Sequence, residues 1–351
     1  MTEAEVLFDV ESGVAVVTLN RPAAMNALTL PMIDALIGKL GDWAADDSIT
    51  AVVVRGAGDR AFCAGGDIRA LYDARETSPN GHPSLTEIFF RAEYRLDHLI
   101  YHYPKPYIAL MDGVVMGGGV GVSVHGDHRV VCEKTVFAMP ETGIGLFPDV
   151  GASYFLPRLP GQLGMFLGLT GHRLRAADCV YAGIGDHYIP VDHHDDVIAA
   201  LRAGRDIAAT LVGLSEDAGP PPLRTRRDLI DRCFSAESVI EIERALEHED
   251  DAVAAEILAV LRTKSPVSRM IAYRQLRAGA TMDFDACMKM EYRLSQQVMA
   301  GHDFYEGVRA LIIDKDNKPN WRPGALPDVT TDMVAGYFAS PPSGDLTFET
   351  S

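Results

Sequence analysis

Two carboxylates, Glu141 and Asp149, stand eight residues apart in a stretch crowded with Gly143, Gly145, Pro148 and Gly151. Turns built from such residues place side chains at the edge of a scaffold. Upstream, Gly117, Gly118 and Gly119 follow the apolar run Pro106–Met111 and precede the small-residue segment Val120–Val124. Three glycines where a strand gives way to a helix let a ligand approach the backbone closely. They also leave the first helical N–H groups without a partner inside the helix. Such groups bind anions or a developing oxyanion. Gly65 and Gly66, ahead of Asp67, repeat the arrangement behind another apolar run. Two N–H groups from separate loops converging on one carbonyl oxygen would make an oxyanion hole, in which a single donor is worth about 3 kcal/mol of transition-state stabilisation. With two carboxylates downstream, the pattern points to acid–base chemistry on a carbonyl.

Each feature also has a plainer reading. A glycine cluster can serve only tight packing, and a turn carboxylate can be satisfied by backbone N–H groups. Glu93 reads from its place on a helix as a solvated charge. His98, His102, His125 and His128 show no ligand spacing and read as surface or core histidines, so no metal is expected. Cys63 lacks an evident partner base and reads as a small buried residue. The loop Gly56-Ala57-Gly58-Asp59-Arg60-Ala61 fits a relaxed dinucleotide fingerprint, with Glu76 at about the right distance. That fingerprint needs a helix to begin within the glycines, whereas here the chain runs on irregularly to Gly65 and Gly66.

The elements that must position these residues alternate. Val14–Leu19, Ala51–Val54, Pro106–Met111, His128–Cys132 and Val136–Met139 read as strands. Thr29 caps a helix with Pro31 in its first turn and Ile33, Leu36, Ile37, Leu40 and Ala44 on one face. Leu85–Tyr103, Gly161–Gly168 and Ala176–Ala182 also read as helical. Strands alternating with helices make an α/β architecture. Residues 1–205 form this core, and 206–222, ending in Pro220-Pro221-Pro222, read as a linker. Strand signals then vanish. Residues 223–340 read as a helical region, including Glu237–Leu246, Asp250–Leu261, a helix capped at Ser265-Pro266, and a last long helix. That last helix carries a mostly apolar stripe of Phe284, Met288, Glu291, Tyr292, Ser295 and Val298. Polar Glu76–Ser84 reads as a mobile lid, and 341–351 as a loose tail.

The 351 residues carry a net charge of −17 with 47% apolar and 23% charged residues, as in a soluble globular chain. The acidic balance argues against nucleic-acid or anionic-membrane partners. No run approaches the roughly 18 to 20 apolar residues of a membrane span. Met1–Val10 shows neither a signal-peptide core nor a transit-peptide pattern. Five scattered cysteines read as reduced thiols, and the expected location is cytoplasmic.

Three motifs resemble the crotonase (enoyl-CoA hydratase/isomerase) superfamily: Ala61-Phe62-Cys63-Ala64-Gly65-Gly66-Asp67, Met116-Gly117-Gly118-Gly119-Val120-Gly121 and Met139-Pro140-Glu141-Thr142. One branch, the 3-hydroxyisobutyryl-CoA hydrolases, is resembled more closely. The stretches that carry this are Gly145–Gly151, Tyr154–Leu159, Met290–Ser295, Asp303–Ala310 and Ile313–Asp316. The likeness runs from about residue 10 to 330.

The resemblance implies a spiral of ββα turns followed by a C-terminal helical region, with an acyl-CoA thioester as substrate. It places Gly66 and Gly118 as oxyanion-binding N–H donors, Glu141 as the catalytic glutamate, Asp149 as the branch's second acid and Glu93 as a substrate contact. Hydratases of the superfamily carry a further catalytic glutamate where this chain has Gly121, which disfavours hydration chemistry. The implied reaction is hydrolysis of a short β-hydroxyacyl-CoA, foremost 3-hydroxyisobutyryl-CoA of valine breakdown. Glu141 would act as general base or as nucleophile, and Asp149 would position the 3-hydroxyl. An enoyl-CoA hydratase or isomerase and a non-catalytic acyl-CoA binding protein are the alternatives. No cofactor is implied beyond the CoA of the substrate. Superfamily members commonly form trimers or pairs of trimers, so a homo-oligomer is the corresponding expectation.

Overall fold

β-branched and apolar runs that must bury both faces become the strands of a largely parallel sheet. The computed structural model describes residues 4–77, 84–342 and 344–348. Its strands are β1 (Val6–Glu11), β2 (Val14–Leu19), β3 (Ala51–Gly56), β4 (Ala61–Cys63), β5 (Tyr107–Met111), β6 (Val114–Met116), β7 (His128–Val131), β8 (Val136–Ala138) and β9 (His187–Tyr188). One sheet runs β1-β2-β3-β5-β7-β9, the other β4-β6-β8. Among the described strands only β1 and β2 pair antiparallel; β2 to β9 pair in parallel, as do the strands of the smaller sheet. From β3 onward the chain lays one strand in the large sheet and the next in the small one, then repeats after a helix. This is the spiral of ββα turns expected above.

The described chain divides into two compact units. The first comprises residues 1–66, 95–138 and 173–224 and contains every described strand. On one face of its large sheet, Val14, Val16, Ala51, Val53, Ile108, Leu110 and Val130 alternate along their strands. They pack on Val197, Ile198, Leu201 and Leu211. These partners lie on helices His194–Arg202 and Ile207–Leu214. The stretch read as a linker therefore carries a helix, which Asp206 caps by accepting from Ala209 N at 2.8 Å. The helix capped by Thr29 spans Leu30–Ala45 and buries Met32 and Trp43 in place of the expected Ile37 and Ala44. Strand β1 falls mostly within Met1–Val10, a segment for which the sequence suggested no strand.

The second unit comprises residues 67–94, 139–172 and 225–351. It is helical, with Val239–His248, Ala252–Thr263, Pro266–Gly279 and Phe284–Ala300 started by the side chains of Ser238, Asp251, Ser265 and Asp283. Each cap satisfies one N–H that the first turn leaves unpaired. The tail is not uniformly loose: Asp345 pairs with Arg293 at 2.6 Å and Leu346 is buried. The suggested lid lies largely outside the described residues. No helix among them is long and apolar enough to cross a membrane.

Candidate active site

In the first unit the two glycine turns lie against each other. Gly65 has φ +118°, and a side-chain carbon there would sit 3.7 Å from Gly118 N. Gly117 turns the chain with φ +48°, and Gly118 opens the buried helix Gly118–Val124. A Cβ on Gly119 would fall 2.1 Å from Cys63 O, so this approach of β4 to the helix tolerates only glycine. Leu28 N donates to Gly65 O at 2.8 Å and Ala64 N to Met25 O at 3.0 Å, fixing the first turn. As the helix's first residue, Gly118 has no helical acceptor for its N–H. Gly121 is buried in the same helix and carries no acid.

The Gly56 loop does not begin a helix. It leads into β4, and Asn26 Nδ2 donates to Ala57 O and Ala61 O at 2.9 and 2.8 Å. The dinucleotide alternative ends there. All five cysteines, Cys63 among them, are buried.

In the second unit the acids come together. Glu141 opens the short 3-10 turn Glu141–Ile144, which closes at Gly145 with φ +74°. This turn is pinned from several sides. Ser265 N donates to Thr142 O at 3.1 Å, and Thr142 Oγ1 donates to Leu169 O at 3.2 Å. Helix Asp303–Val308 presses so close that a Cβ on Gly307 would meet Ile144 C at 2.4 Å, and one on Gly145 would meet Asp303 C at 2.2 Å. Motifs Gly145–Gly151 and Asp303–Ala310, far apart in sequence, thus form one contact.

Glu141 is buried, and its Oε2 has no hydrogen-bond partner among the described residues. Burial raises its carboxyl well above the ordinary range, and the charge of Asp149 raises it further; Lys264 acts weakly in the opposite sense. Asp149 is buried as well and accepts from Tyr94 Oη at 2.9 Å. Burial pushes it up to about 7 against that hydrogen bond. Glu93 is not the solvated helix charge its position suggests: it is 3% exposed, with Oε1 unpartnered among the described residues. Burial first, and Asp149 second, hold it well above a normal glutamate.

Two further members escaped the sequence reading. Tyr94 holds Asp149, and Glu291 accepts from Gly151 N and Ser153 N at 2.7 and 2.8 Å. Burial pushes Glu291 up to about 8 in spite of these bonds. Its signal was present, since it is a charged residue inside an otherwise mostly apolar helical stripe. A groove of about 790 Å³ elsewhere in the first unit, between helices His194–Arg202 and Ile207–Leu214, contains none of these residues. Buried acids with upward-shifted pKa values and a pair of N–H-bearing turns are the parts acyl transfer uses.

Known proteins resemble this chain over nearly its whole length. The chain is 46% identical over 353 residues to the "3-hydroxyisobutyryl-CoA hydrolase, mitochondrial" of Danio rerio, covering 98% of this chain and 91% of the relative. It is 44% identical to the protein of that name from Homo sapiens over the same shares of the two chains. The expectation of a cytoplasmic location gains no support from those names. Among solved structures, a carnitinyl-CoA dehydratase from Mycobacterium thermoresistibile superposes with TM-score 0.93 at 41% identity over 99% of each chain. An enoyl-CoA hydratase from Rhodobacter sphaeroides follows at TM-score 0.91 and 38% identity, covering 98% of this chain and 100% of that one. A model of the enoyl-CoA hydratase/isomerase family matches residues 14–338, and the chain belongs to that family.

Proposed function

We propose that the protein hydrolyses 3-hydroxyisobutyryl-CoA to 3-hydroxyisobutyrate and CoA. The observation that carries this reading is the second acid. Asp149 lies close enough to Glu141 to raise its pKa, while Gly121 offers no carboxylate where the hydratases of the family have one. The full-length likeness to relatives named for this hydrolysis supports it.

In the proposed mechanism the N–H groups of Gly66 and Gly118 hold the thioester oxygen as it becomes negative. Glu141 either takes a proton from water as the water oxygen attacks the thioester carbon, or attacks that carbon itself. Collapse of the tetrahedral oxyanion breaks the C–S bond, and the leaving thiolate takes up a proton. In the nucleophilic route, water then cleaves the mixed anhydride and restores Glu141. Asp149 orients the 3-hydroxyl, and Glu93 contacts the substrate. In a single turnover in isotope-labelled water, label appearing in the Glu141 carboxylate excludes pure general-base action, because it enters there only when water attacks the Glu141 side of the anhydride.

A second reading, enoyl-CoA hydration by Glu141 alone, is favoured by the names of the two superposed structures. One assay decides. Thiol release from 3-hydroxyisobutyryl-CoA supports the hydrolase, whereas loss of enoyl absorbance from crotonyl-CoA without thiol release supports the hydratase. Glu141→Gln should lower kcat by about 10²- to 10⁴-fold and leave acyl-CoA binding in place. A near-normal rate would remove Glu141 from the mechanism.

A further inference from the structure

We infer that Glu291 is a positioning residue: it holds the turn that presents Asp149 and thereby sets the preference for an acyl chain bearing a 3-hydroxyl. The inference rests on the proposed role of Asp149 and gives a role to a residue of the stretch Met290–Ser295, where the resemblance implied none.

The turn after Asp149 is one the chain would not adopt unaided. Val150 has φ +51° and Gly151 φ +86°. A β-branched residue in the left-handed region is a conformational outlier and persists only where its surroundings impose it. Ala152 N closes the turn by donating to Asp149 O at 2.9 Å. The next constraint is Glu291. Its Oε2 accepts from Gly151 N at 2.7 Å and its Oε1 from Ser153 N at 2.8 Å. One carboxylate thus binds two N–H groups with one oxygen each, and both belong to the segment that Val150 turns. On the other side of Asp149, Gln275 Nε2 donates to Pro148 O, and Tyr94 Oη holds the Asp149 carboxylate itself.

Packing alone does not explain an acid here. Glu291 is fully buried on helix Phe284–Ala300 beside buried Met288, Tyr292 and Leu294, a position where an apolar residue of similar size would avoid the cost of burying a carboxylate. A glutamine of the same shape would satisfy one of the two N–H groups and turn its own NH2 toward the other, donor against donor. The carboxylate is the side chain that accepts from both.

The test uses the full chain with two substrates, 3-hydroxyisobutyryl-CoA and isobutyryl-CoA, which lacks the hydroxyl. Glu291→Gln should lower kcat/KM for the hydroxylated substrate roughly 10- to 100-fold, the loss expected when a reacting group is displaced by about an ångström. It should change isobutyryl-CoA turnover by less than about 3-fold, so that discrimination between the two collapses. In an Asp149→Asn background the same substitution should add little, because Glu291 acts through Asp149. Glu291→Asp keeps the charge but is too short to reach both N–H groups, and should show a smaller loss confined to the hydroxylated substrate. It replaces Glu291→Gln as the reporter if the latter does not fold. Equal losses on both substrates, or a loss that multiplies with that of Asp149→Asn, would make Glu291 merely structural and overturn the proposal. If Asp149→Asn itself leaves discrimination intact, the role given to Asp149 fails, and the present proposal with it. If Asp149→Asn abolishes discrimination and Glu291→Gln does not, only the positioning role is lost.

Discussion

A carboxyl group kept out of water holds its proton more tightly, and once ionised it is a stronger base. Glu141 is in that condition: burial is the main cause and the charge of Asp149 adds to it. The pH dependence follows in sign. If Glu141 must be ionised to act, kcat/KM rises with pH, and the midpoint of the rise lies above the ordinary glutamate value of about 4.3. Asp149→Asn removes a neighbouring negative charge, so the Glu141 proton should come off more easily and the midpoint should move to lower pH. Isobutyryl-CoA is the suitable substrate, since it makes no demand on the hydroxyl contact. A midpoint that stays fixed or moves upward in Asp149→Asn would show that the limb belongs to another group. Glu93 shows how far the linear sequence reaches at this scale. Its identity as a helix residue was readable, but neither its burial nor the influence of the Asp149 charge on it can be seen from spacing along one helix.

At the scale of elements, the Glu141 turn is shaped by what lies against it. Gly145 at φ +74° ends the turn, and helix Asp303–Val308 approaches until Gly307 faces Ile144 backbone to backbone. Ser265 Oγ donates to Asp303 Oδ2 at 2.7 Å, tying the N-terminus of helix Pro266–Gly279 to the start of helix Asp303–Val308. Gly307→Ala would place a carbon 2.4 Å from Ile144 C, a contact with backbone that no side-chain rotation relieves. Overpacking of this kind costs typically 1–3 kcal/mol, so about 2 kcal/mol of stability should be lost. Because the displaced atoms belong to the Glu141 turn, kcat should fall as well, with KM less affected. Thermal unfolding and steady-state kinetics on the same preparation check both halves. An alanine variant with wild-type melting temperature would mean that helix Asp303–Val308 shifts freely and does not set the turn. The strands of the first unit were legible because β-branched runs such as Ala51–Val54 bury both faces, and the glycine motifs because their chemistry is local. The short strands β4, β6 and β9 were not. With only two or three residues each, they owe their conformation to parallel partners remote in sequence, which periodicity cannot detect.

For the molecule as a whole, a composition shift near residue 206 suggested a core, a linker and a helical region in series, whereas the two compact units each draw on three separate stretches of chain. The physical reason is that segments 67–94 and 139–172 fall between strands of the other unit along the chain. Nothing in their own composition marks them as belonging with residues 225–351. This interleaving has a consequence for unfolding. An excursion joined at both ends to a folded unit gains less conformational entropy on unfolding than a free chain would, so separate melting of the second unit is disfavoured. The two tryptophans report on the two units individually. Trp43 packs edge-on against Phe8 with ring centroids 5.6 Å apart in the first unit, and Trp321 Nε1 donates to Thr263 O at 3.2 Å in the second. Trp321→Phe leaves Trp43 as the sole indole, and Trp43→Phe leaves Trp321. Denaturant titrations followed by fluorescence in each variant, and by far-ultraviolet circular dichroism in both, should give coincident transitions for each variant even though a 351-residue chain is large enough for intermediates to be common. Were the Trp321 signal lost well before the circular dichroism of the same variant, the helical unit would be unfolding by itself, and the interleaved chain path would not be coupling the two.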